Sequence, residues 1–317
     1  MNKLKMVFTD AGAVTTDISS LDVFKEFGKI EVYNNLTSEQ IVEKAPDTDM
    51  ILCSKTRVTR EVIDKLPNLK FIGLLATGYN NIDLEAASER NIVVCNAGEY
   101  STNAVAQHVF AFILHIANKV ADYNNEVKRG DWEESETFCM LNHTTMELSG
   151  KTLGIFGYGS IGKRVGEIGK AFGMDVIATS RAKKNTDVEY VEFDELLKRS
   201  DFITVHCPLT PQTENIFNEN AFSKCKKGCI FINTSRGGTV DEKALYNALT
   251  DGTLAGAAVD VLKSEPMEKG CKLRDLPNII ITPHIAWSPN ETQRRLIDIV
   301  YDNVKGYLSG DIRNKVN

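Results

Sequence analysis

Short apolar runs alternate with amphipathic stretches from the N-terminus onward. Residues 6–8, 30–33, 50–52, 71–74 and 92–94 are short runs dominated by large or β-branched apolar side chains, which predicts strands, and the stretches between them predict helices. Thr37 and Gln40 stand at the spacing of a capping box, and Thr59 and Asp83 are suited to cap the next two helices. Strands and helices in strict alternation predict a parallel sheet covered on both faces.

The pattern then changes. Over about 103–120, Val105, Val109, Phe112, Ile113, Ile116 and Val120 recur at helical spacing with few charges, predicting a long, largely buried helix. From Asp122 to Glu147 the chain is polar and without clear period, which predicts an irregular excursion of the kind that serves function or an interface. Alternation resumes with runs at 152–156, 176–179, 202–205, 229–232, 255–259 and 279–282, six strands and so a complete doubly wound sheet. Beyond them, over about 290–308, Leu296, Ile299, Val300, Val304 and Leu308 share one helical face. That helix can return to the first lobe, which makes the first lobe discontinuous in sequence.

A chain of 317 residues exceeds what one core usually holds, in keeping with two lobes. The net charge of −6 argues against nucleic acid as a partner. The first ten residues lack the apolar run of a signal peptide, and no stretch approaches the roughly 20 apolar residues of a membrane span, so no membrane partner is expected. Seven scattered cysteines, an odd number in a chain too long to need staples, fit a reducing, cytoplasmic setting. Cys225 and Cys229 have no second pair or nearby histidine, so they read as ordinary thiols and no metal is expected.

Candidate chemistry begins at Gly157-Tyr158-Gly159-Ser160-Ile161-Gly162, which follows a predicted strand and opens a predicted helix. In that context Gly157 permits a tight turn, Gly159 lets backbone approach a pyrophosphate, and Gly162 lets the helix pack on the strand, with the helix N-terminus facing the anion. The acidic residue that would grip the ribose hydroxyls of NAD is missing: after the next strand stand Ser180 and Arg181, then Lys183 and Lys184. A hydroxyl beside a guanidinium can hold a 2′-phosphate, so the cofactor is NAD or NADP. The predicted fold class is α/β, two doubly wound parallel-sheet lobes with a cleft between them. A Rossmann cofactor domain spans 102–286, and a flavodoxin-like substrate domain spans 1–101 and 287–317.

Three ionisable residues hold equivalent places past the ends of predicted strands: Arg236, Glu265 and His284. In a parallel sheet all strand C-termini lie along one edge, beside the crevice that receives the cofactor. Their chemistry is complementary for reducing a 2-keto acid. Arg236 offers paired donors to carboxylate and carbonyl, His284 a proton near neutral pH, and Glu265 a negative charge that stabilises the imidazolium.

Together these segments resemble the D-isomer-specific 2-hydroxyacid dehydrogenase family along nearly the whole chain. The resemblance is carried by Ala76-Thr77-Gly78-Tyr79-Asn80-Asn81-Ile82-Asp83, the glycine turn, His206-Cys207-Pro208-Leu209-Thr210, Asn233-Thr234-Ser235-Arg236-Gly237, Asp260-Val261 with Glu265-Pro266, and Thr282-Pro283-His284-Ile285-Ala286-Trp287. It implies that Arg236, Glu265 and His284 are the catalytic three and that backbone N–H groups of Ala76, Thr77 and Gly78 hold the substrate. It further implies that Asp260 contacts the nicotinamide, that Cys207, Pro208, Thr234 and Ser235 line the cofactor, and that the protein is a homodimer. The His284-Ile285-Ala286-Trp287 ending and the Asp131-Trp132 segment leading to Phe138-Cys139 look like the glycerate dehydrogenase, or hydroxypyruvate reductase, branch. Met140-Leu141-Asn142 and Ser180 depart from that branch's pattern.

Of the other histidines, His108 and His115 lie seven apart on the long helix and read as packing residues, and His143 as a surface or interface residue. His206 ends a strand at the cofactor edge, where its ring meets the cofactor or bonds to local backbone. A competing class is a non-enzymatic NAD(H) sensor resembling the C-terminal-binding protein corepressors, which share the fold.

Overall fold

The computed structural model describes residues 4–181 and 187–317; Lys183 and Lys184 lie outside them. The chain forms two compact units, Met1–Ser101 with Ser288–Asn317, and Thr102–Trp287.

In the first unit β1 (Leu4–Phe8), β2 (Gly28–Val32), β3 (Met50–Cys53), β4 (Phe71–Leu74) and β5 (Val93–Cys95) form one parallel sheet in the order β2-β1-β3-β4-β5. This is the flavodoxin-like order. Every residue of β3 and β4 is buried, as expected of central parallel strands covered on both faces. Helices α1 (Ser38–Lys44), α2 (Arg60–Lys65) and α3 (Leu84–Glu89) make the crossovers. Thr37 and Gln40 form the reciprocal capping box on α1, and Asp83 accepts the Ala86 N–H at 2.9 Å on α3. Thr59 stands at the N-cap of α2 in an extended conformation, yet its side chain makes no capping bond. The β1–β2 crossover is built of 3₁₀ turns, Ala11–Ala13 and Ile18–Glu26, where alternation alone predicts an α-helix. Asp10, just past β1, is 2% exposed and accepts the N–H groups of Ser54 (2.9 Å), Lys55 (2.5 Å) and Thr56 (2.8 Å), fastening the turn after β3.

The second unit opens with α4 (Thr102–Asn118), whose inner face buries Val105, Val109, Phe112 and Ile113. His115 is exposed, so it does not pack into the core. Beyond Lys119 the chain forms α5 (Val120–Arg129), ended by Gly130 at φ +91°, so the first part of the supposed irregular excursion is a helix. It buries no residue, and a helix without an apolar inner stripe leaves no period to read. Then come β6 (Thr152–Phe156), α6 (Ser160–Ala171), β7 (Asp175–Thr179), β8 (Glu189–Tyr190), α7 (Phe193–Arg199), β9 (Phe202–Val205), α8 (Glu219–Phe222), β10 (Cys229–Asn233), α9 (Glu242–Thr250), β11 (Leu254–Val259) and β12 (Ile279–Ile281). The parallel sheet has seven strands, in the order β12-β11-β10-β9-β6-β7-β8. The strand beyond the six expected is β8, a two-residue edge strand too short to show alternation. On one face an aromatic core centres on Phe217, with the rings of Phe156, Phe193 and Phe231 at 5.0–5.4 Å.

The last helix, α10 (Asn290–Ser309), belongs to the first unit, where it buries Leu296, Val300 and Val304, and Asn303 donates to the Asn96 carbonyl at 2.8 Å. Leu308, expected on that face, is exposed because it falls in the last turn. Among the described residues no single helix is long and apolar enough to cross a membrane, and all seven cysteines are unpaired.

Candidate active site

The sheet order of the second unit places the expected residues in sequence along one edge. Strands β10, β11 and β12 are neighbours in parallel register, Asn233 opposite Val259 and Val259 opposite Ile281, so their C-terminal ends lie side by side about 4.8 Å apart. Arg236 follows the first, Glu265 the second and His284 the third. Next along the edge come β9 with His206-Cys207-Pro208, β6 with the glycine turn, and β7 with Ser180-Arg181. The chain reverses its winding between β9 and β6, the topological switch point where open α/β sheets bind ligands.

The structure brings Glu265 and His284 into contact: His284 Nδ1 lies 2.7 Å from Glu265 Oε2. A carboxylate only accepts, so Nδ1 carries the proton, and Nε2 is the ring atom at which a second proton is held or released. His284 sits in the left-handed region at φ +56°, with its N–H shared between the carbonyls of Asp260 (2.8 Å) and Thr282 (3.0 Å). Glu265 accepts the Leu262 N–H at 3.1 Å through Oε1, and the Glu265–Pro266 bond is cis.

Arg236 is partly buried, and its Nη1 donates to the Ser235 carbonyl at 2.7 Å. Its loop is pinned from beneath. Buried Asn233 accepts the N–H and hydroxyl of Ser235 (3.0 and 2.9 Å) and donates to the Arg236 carbonyl at 3.0 Å, which Thr239 also reaches at 2.7 Å. A Cβ at Gly237 would lie 1.9 Å from the carbonyl carbon of Leu262, so the Arg236 loop and the loop leading to Glu265 touch backbone to backbone. Gly237 and Asn233 therefore shape the site although neither bears reactive chemistry, and sequence reasoning assigned them no role.

Asp260 is 1% exposed, and its carboxylate is committed to the histidine loop. Oδ1 accepts from the Thr282 hydroxyl (2.5 Å) and the Ile285 N–H (2.8 Å), and Oδ2 from the Ala286 N–H (2.8 Å). His108 of α4 joins this cluster, with Nε2 3.2 Å from Thr282 Oγ1. It is thus more than the packing residue its helical spacing implied.

The glycine turn fits a dinucleotide. Gly157 has φ +99°, and a Cβ there would lie 2.7 Å from the backbone of His206; a Cβ at Gly162 would lie 2.2 Å from the Gly157 carbonyl oxygen. Both close contacts exclude any larger residue. A Cβ at Gly159 would meet nothing within 4 Å, so the space over this residue, at the head of α6 beside Ser160 and Ile161, is open to a phosphate. On the same edge the Thr234 hydroxyl is buried without a partner among the described residues, as are both ring nitrogens of His206. Of the two alternatives for the His206 ring, the bond to local backbone is not found among the described residues; the backbone N–H of His206 meets the Phe156 carbonyl at 2.8 Å. Burial pushes its ring down to about 3, so the imidazole is neutral. Cys207 is buried, with its thiol raised to about 11 by burial, and Pro208 is exposed with its carbonyl held by Thr213 at 2.7 Å. Ser180 is half-buried at the end of β7 and Arg181 exposed beside it, with no carboxylate at this strand end.

In the first unit Ala76-Thr77-Gly78 follow β4. The Ala76 carbonyl accepts from Ala97 (3.0 Å), Thr77 Oγ1 donates to Gly98 (2.5 Å) and Asn96 to the Thr77 carbonyl (2.7 Å), so the loop is held by its oxygens. The N–H groups of Ala76, Thr77 and Gly78 find no acceptor among the described residues, which leaves a row of donors suited to an anion.

Comparison with known proteins agrees with these features. Residues 110–286 match the model of the D-isomer specific 2-hydroxyacid dehydrogenase, NAD binding domain. The chain is 39% identical to a hydroxypyruvate reductase of Blautia hydrogenotrophica over 99% of its own length and 100% of that protein's. It is 37% identical to a glycerate dehydrogenase of Methylorubrum extorquens, over 98% of each chain. Among solved structures, an acyclic imino acid reductase in complex with NADPH and D-Arg superposes with a TM-score of 0.88 at 30% identity, covering 99% of this chain and 100% of that one. With the sheet order, the glycine turn and full-length relatives in agreement, this chain belongs to the D-isomer-specific 2-hydroxyacid dehydrogenase family.

Proposed function

We propose that the protein reduces a small 2-keto acid of the hydroxypyruvate or glyoxylate type to the D-2-hydroxy acid, with His284 as the acid. The observation that carries this reading is the 2.7 Å contact between Glu265 and His284 Nδ1, which occupies Nδ1–H and leaves Nε2 as the ring nitrogen free to hand on a second proton. When bound, a reduced nicotinamide would supply hydride chemistry. The protein's own groups do the rest. His284 delivers a proton from Nε2 to the carbonyl oxygen as that atom gains charge, and Glu265 stabilises the imidazolium beforehand. Arg236 meets the substrate carboxylate and carbonyl with paired N–H donors, and in the first unit the N–H groups of Ala76, Thr77 and Gly78 are the donors suited to a substrate anion. In this reading the first unit binds substrate and the second binds cofactor, through Gly157, Gly159, Ser160, Ile161, Gly162, Cys207, Pro208, Thr234, Ser235 and Asp260.

Cofactor choice falls to Ser180 and Arg181, whose hydroxyl and guanidinium, in place of a carboxylate, support acceptance of a 2′-phosphate and so of NADPH. Exposed Phe138 (90%) and Leu141 (85%), with Trp132 (52%), support a homodimer formed through the segment after α5. The unpaired thiols support a reducing cytoplasmic setting. Loss of NAD(P)H absorbance on adding hydroxypyruvate or glyoxylate, measured with both dinucleotides, tests the reading. Dinucleotide binding without turnover across a 2-keto-acid panel would favour the sensor class, and a strong NADH preference would remove the phosphate role of Arg181.

A further inference from the structure

We propose that His108 and Thr282 are positioning residues for His284, acting through the buried carboxylate of Asp260. The proposal rests on His284 being the acid, as above, and extends the machinery to a helix that carries none of the reacting groups.

Thr282 Oγ1 lies 2.5 Å from Asp260 Oδ1 and 3.2 Å from His108 Nε2. A hydroxyl has a single hydrogen, and the carboxylate can only accept, so that hydrogen points to Asp260. The contact with His108 must then run the other way, with Nε2–H donating to the hydroxyl oxygen. This sets the tautomer of His108 and gives the chain a direction: His108 to Thr282 to Asp260. Burial pulls the His108 imidazole below its ordinary value against the opposing charge of Asp260, consistent with a neutral ring. The ring is held edge-on against Phe112, centroids 4.5 Å apart at 75°, so its donor has a fixed origin on α4.

At the other end the carboxylate grips the two residues after His284 through the N–H groups of Ile285 and Ala286, both at 2.8 Å, while the Asp260 carbonyl takes the N–H of His284 itself. His284 is the residue among these with a left-handed backbone, φ +56°, a conformation that a side chain with Cβ does not hold unaided. Turning Asp260, by removing the hydroxyl that aligns Oδ1, lets this loop relax, and the imidazole moves off Glu265.

The test uses the full-length protein with Thr282→Val, which keeps the shape and removes the hydroxyl, Thr282→Ser, which restores it, and His108→Gln as a second route to the same contact. Thr282→Val is expected to lower kcat about tenfold to a hundredfold, with the KM for dinucleotide within about twofold, since misplacing a reacting group by about an ångström costs that much. The ring signal of His284 in the NMR spectrum, assigned by its loss in His284→Asn, should move in Thr282→Val and return in Thr282→Ser. His108→Gln should move it in the same sense. An unmoved ring signal in both Thr282→Val and His108→Gln overturns the proposal, as does a kcat that Thr282→Ser fails to restore while the signal returns. Wild-type protein that turns over no 2-keto acid would sink the functional reading alone, because the ring signal still decides whether Thr282 places His284.

Discussion

Glu265 is tied at both carboxylate oxygens, Oε2 to the imidazole of His284 at 2.7 Å and Oε1 to the backbone of Leu262 at 3.1 Å. The second bond stops the carboxylate from turning away, so its charge is aimed at the ring whether or not substrate is present. Glu265→Gln keeps the size but removes the charge that favours a protonated ring. The limb of the kcat/KM profile on which keto-acid reduction fails with rising pH is expected to move to lower pH, and His284→Asn should cut kcat at every pH with a smaller effect on KM. Steady-state rates between pH 5 and 9 check both, and an unchanged profile in Glu265→Gln counts against the pairing.

The glycine turn separates folding from binding. Gly159→Ala adds a methyl group where nothing lies within 4 Å, so the thermal midpoint should change little, yet that methyl occupies the space a pyrophosphate needs. Dinucleotide affinity, read by quenching of protein fluorescence, should fall by about tenfold or more, roughly 1.4 kcal/mol. Gly157→Ala meets both a left-handed backbone and the His206 backbone 2.7 Å away, so there the fold itself should suffer. Full affinity in Gly159→Ala would place the phosphates elsewhere.

His206 gives stability a pH dependence of known sign. Its folded ring lies at about 3, below the roughly 6.5 of an unfolded histidine, so between those values the unfolded chain binds a proton that the folded one does not. Stability contributed by this neutral ring is present above about pH 6.5 and is lost as pH falls towards 3, by at most ~1.4 kcal/mol per pH unit. His206→Leu should flatten the fall of the urea midpoint between pH 7 and pH 5. Equal slopes in the two proteins would show that the ring does not titrate with unfolding.

Much of this was legible in the residues because parallel sheets announce themselves. Buried central strands such as 50–53 and 71–74 carry no charged or hydroxyl side chain, and the position of Arg236, Glu265 and His284 past three predicted strands is enough to place them on one edge. What escaped the sequence had no pattern to offer. Strand β8 is two residues long, α5 has no buried stripe, and the partner of Thr282 comes from a helix 174 positions earlier in the chain. His206 could be placed at the edge, but that its ring nitrogens find no partner among the described residues could not be read there, since that depends on what its neighbours fail to supply.

Gly237 carries only a hydrogen where every other residue type carries a carbon. Because its hydrogen alone separates the Arg236 turn from the strand of backbone leading to Glu265, the spacing of guanidinium and imidazole is set by the thinnest wall a polypeptide can build. A single carbon at that wall would wedge the cation away from the proton donor while leaving every reactive atom in the chain intact. Loss of chemistry could then arise at a residue that has no chemistry of its own.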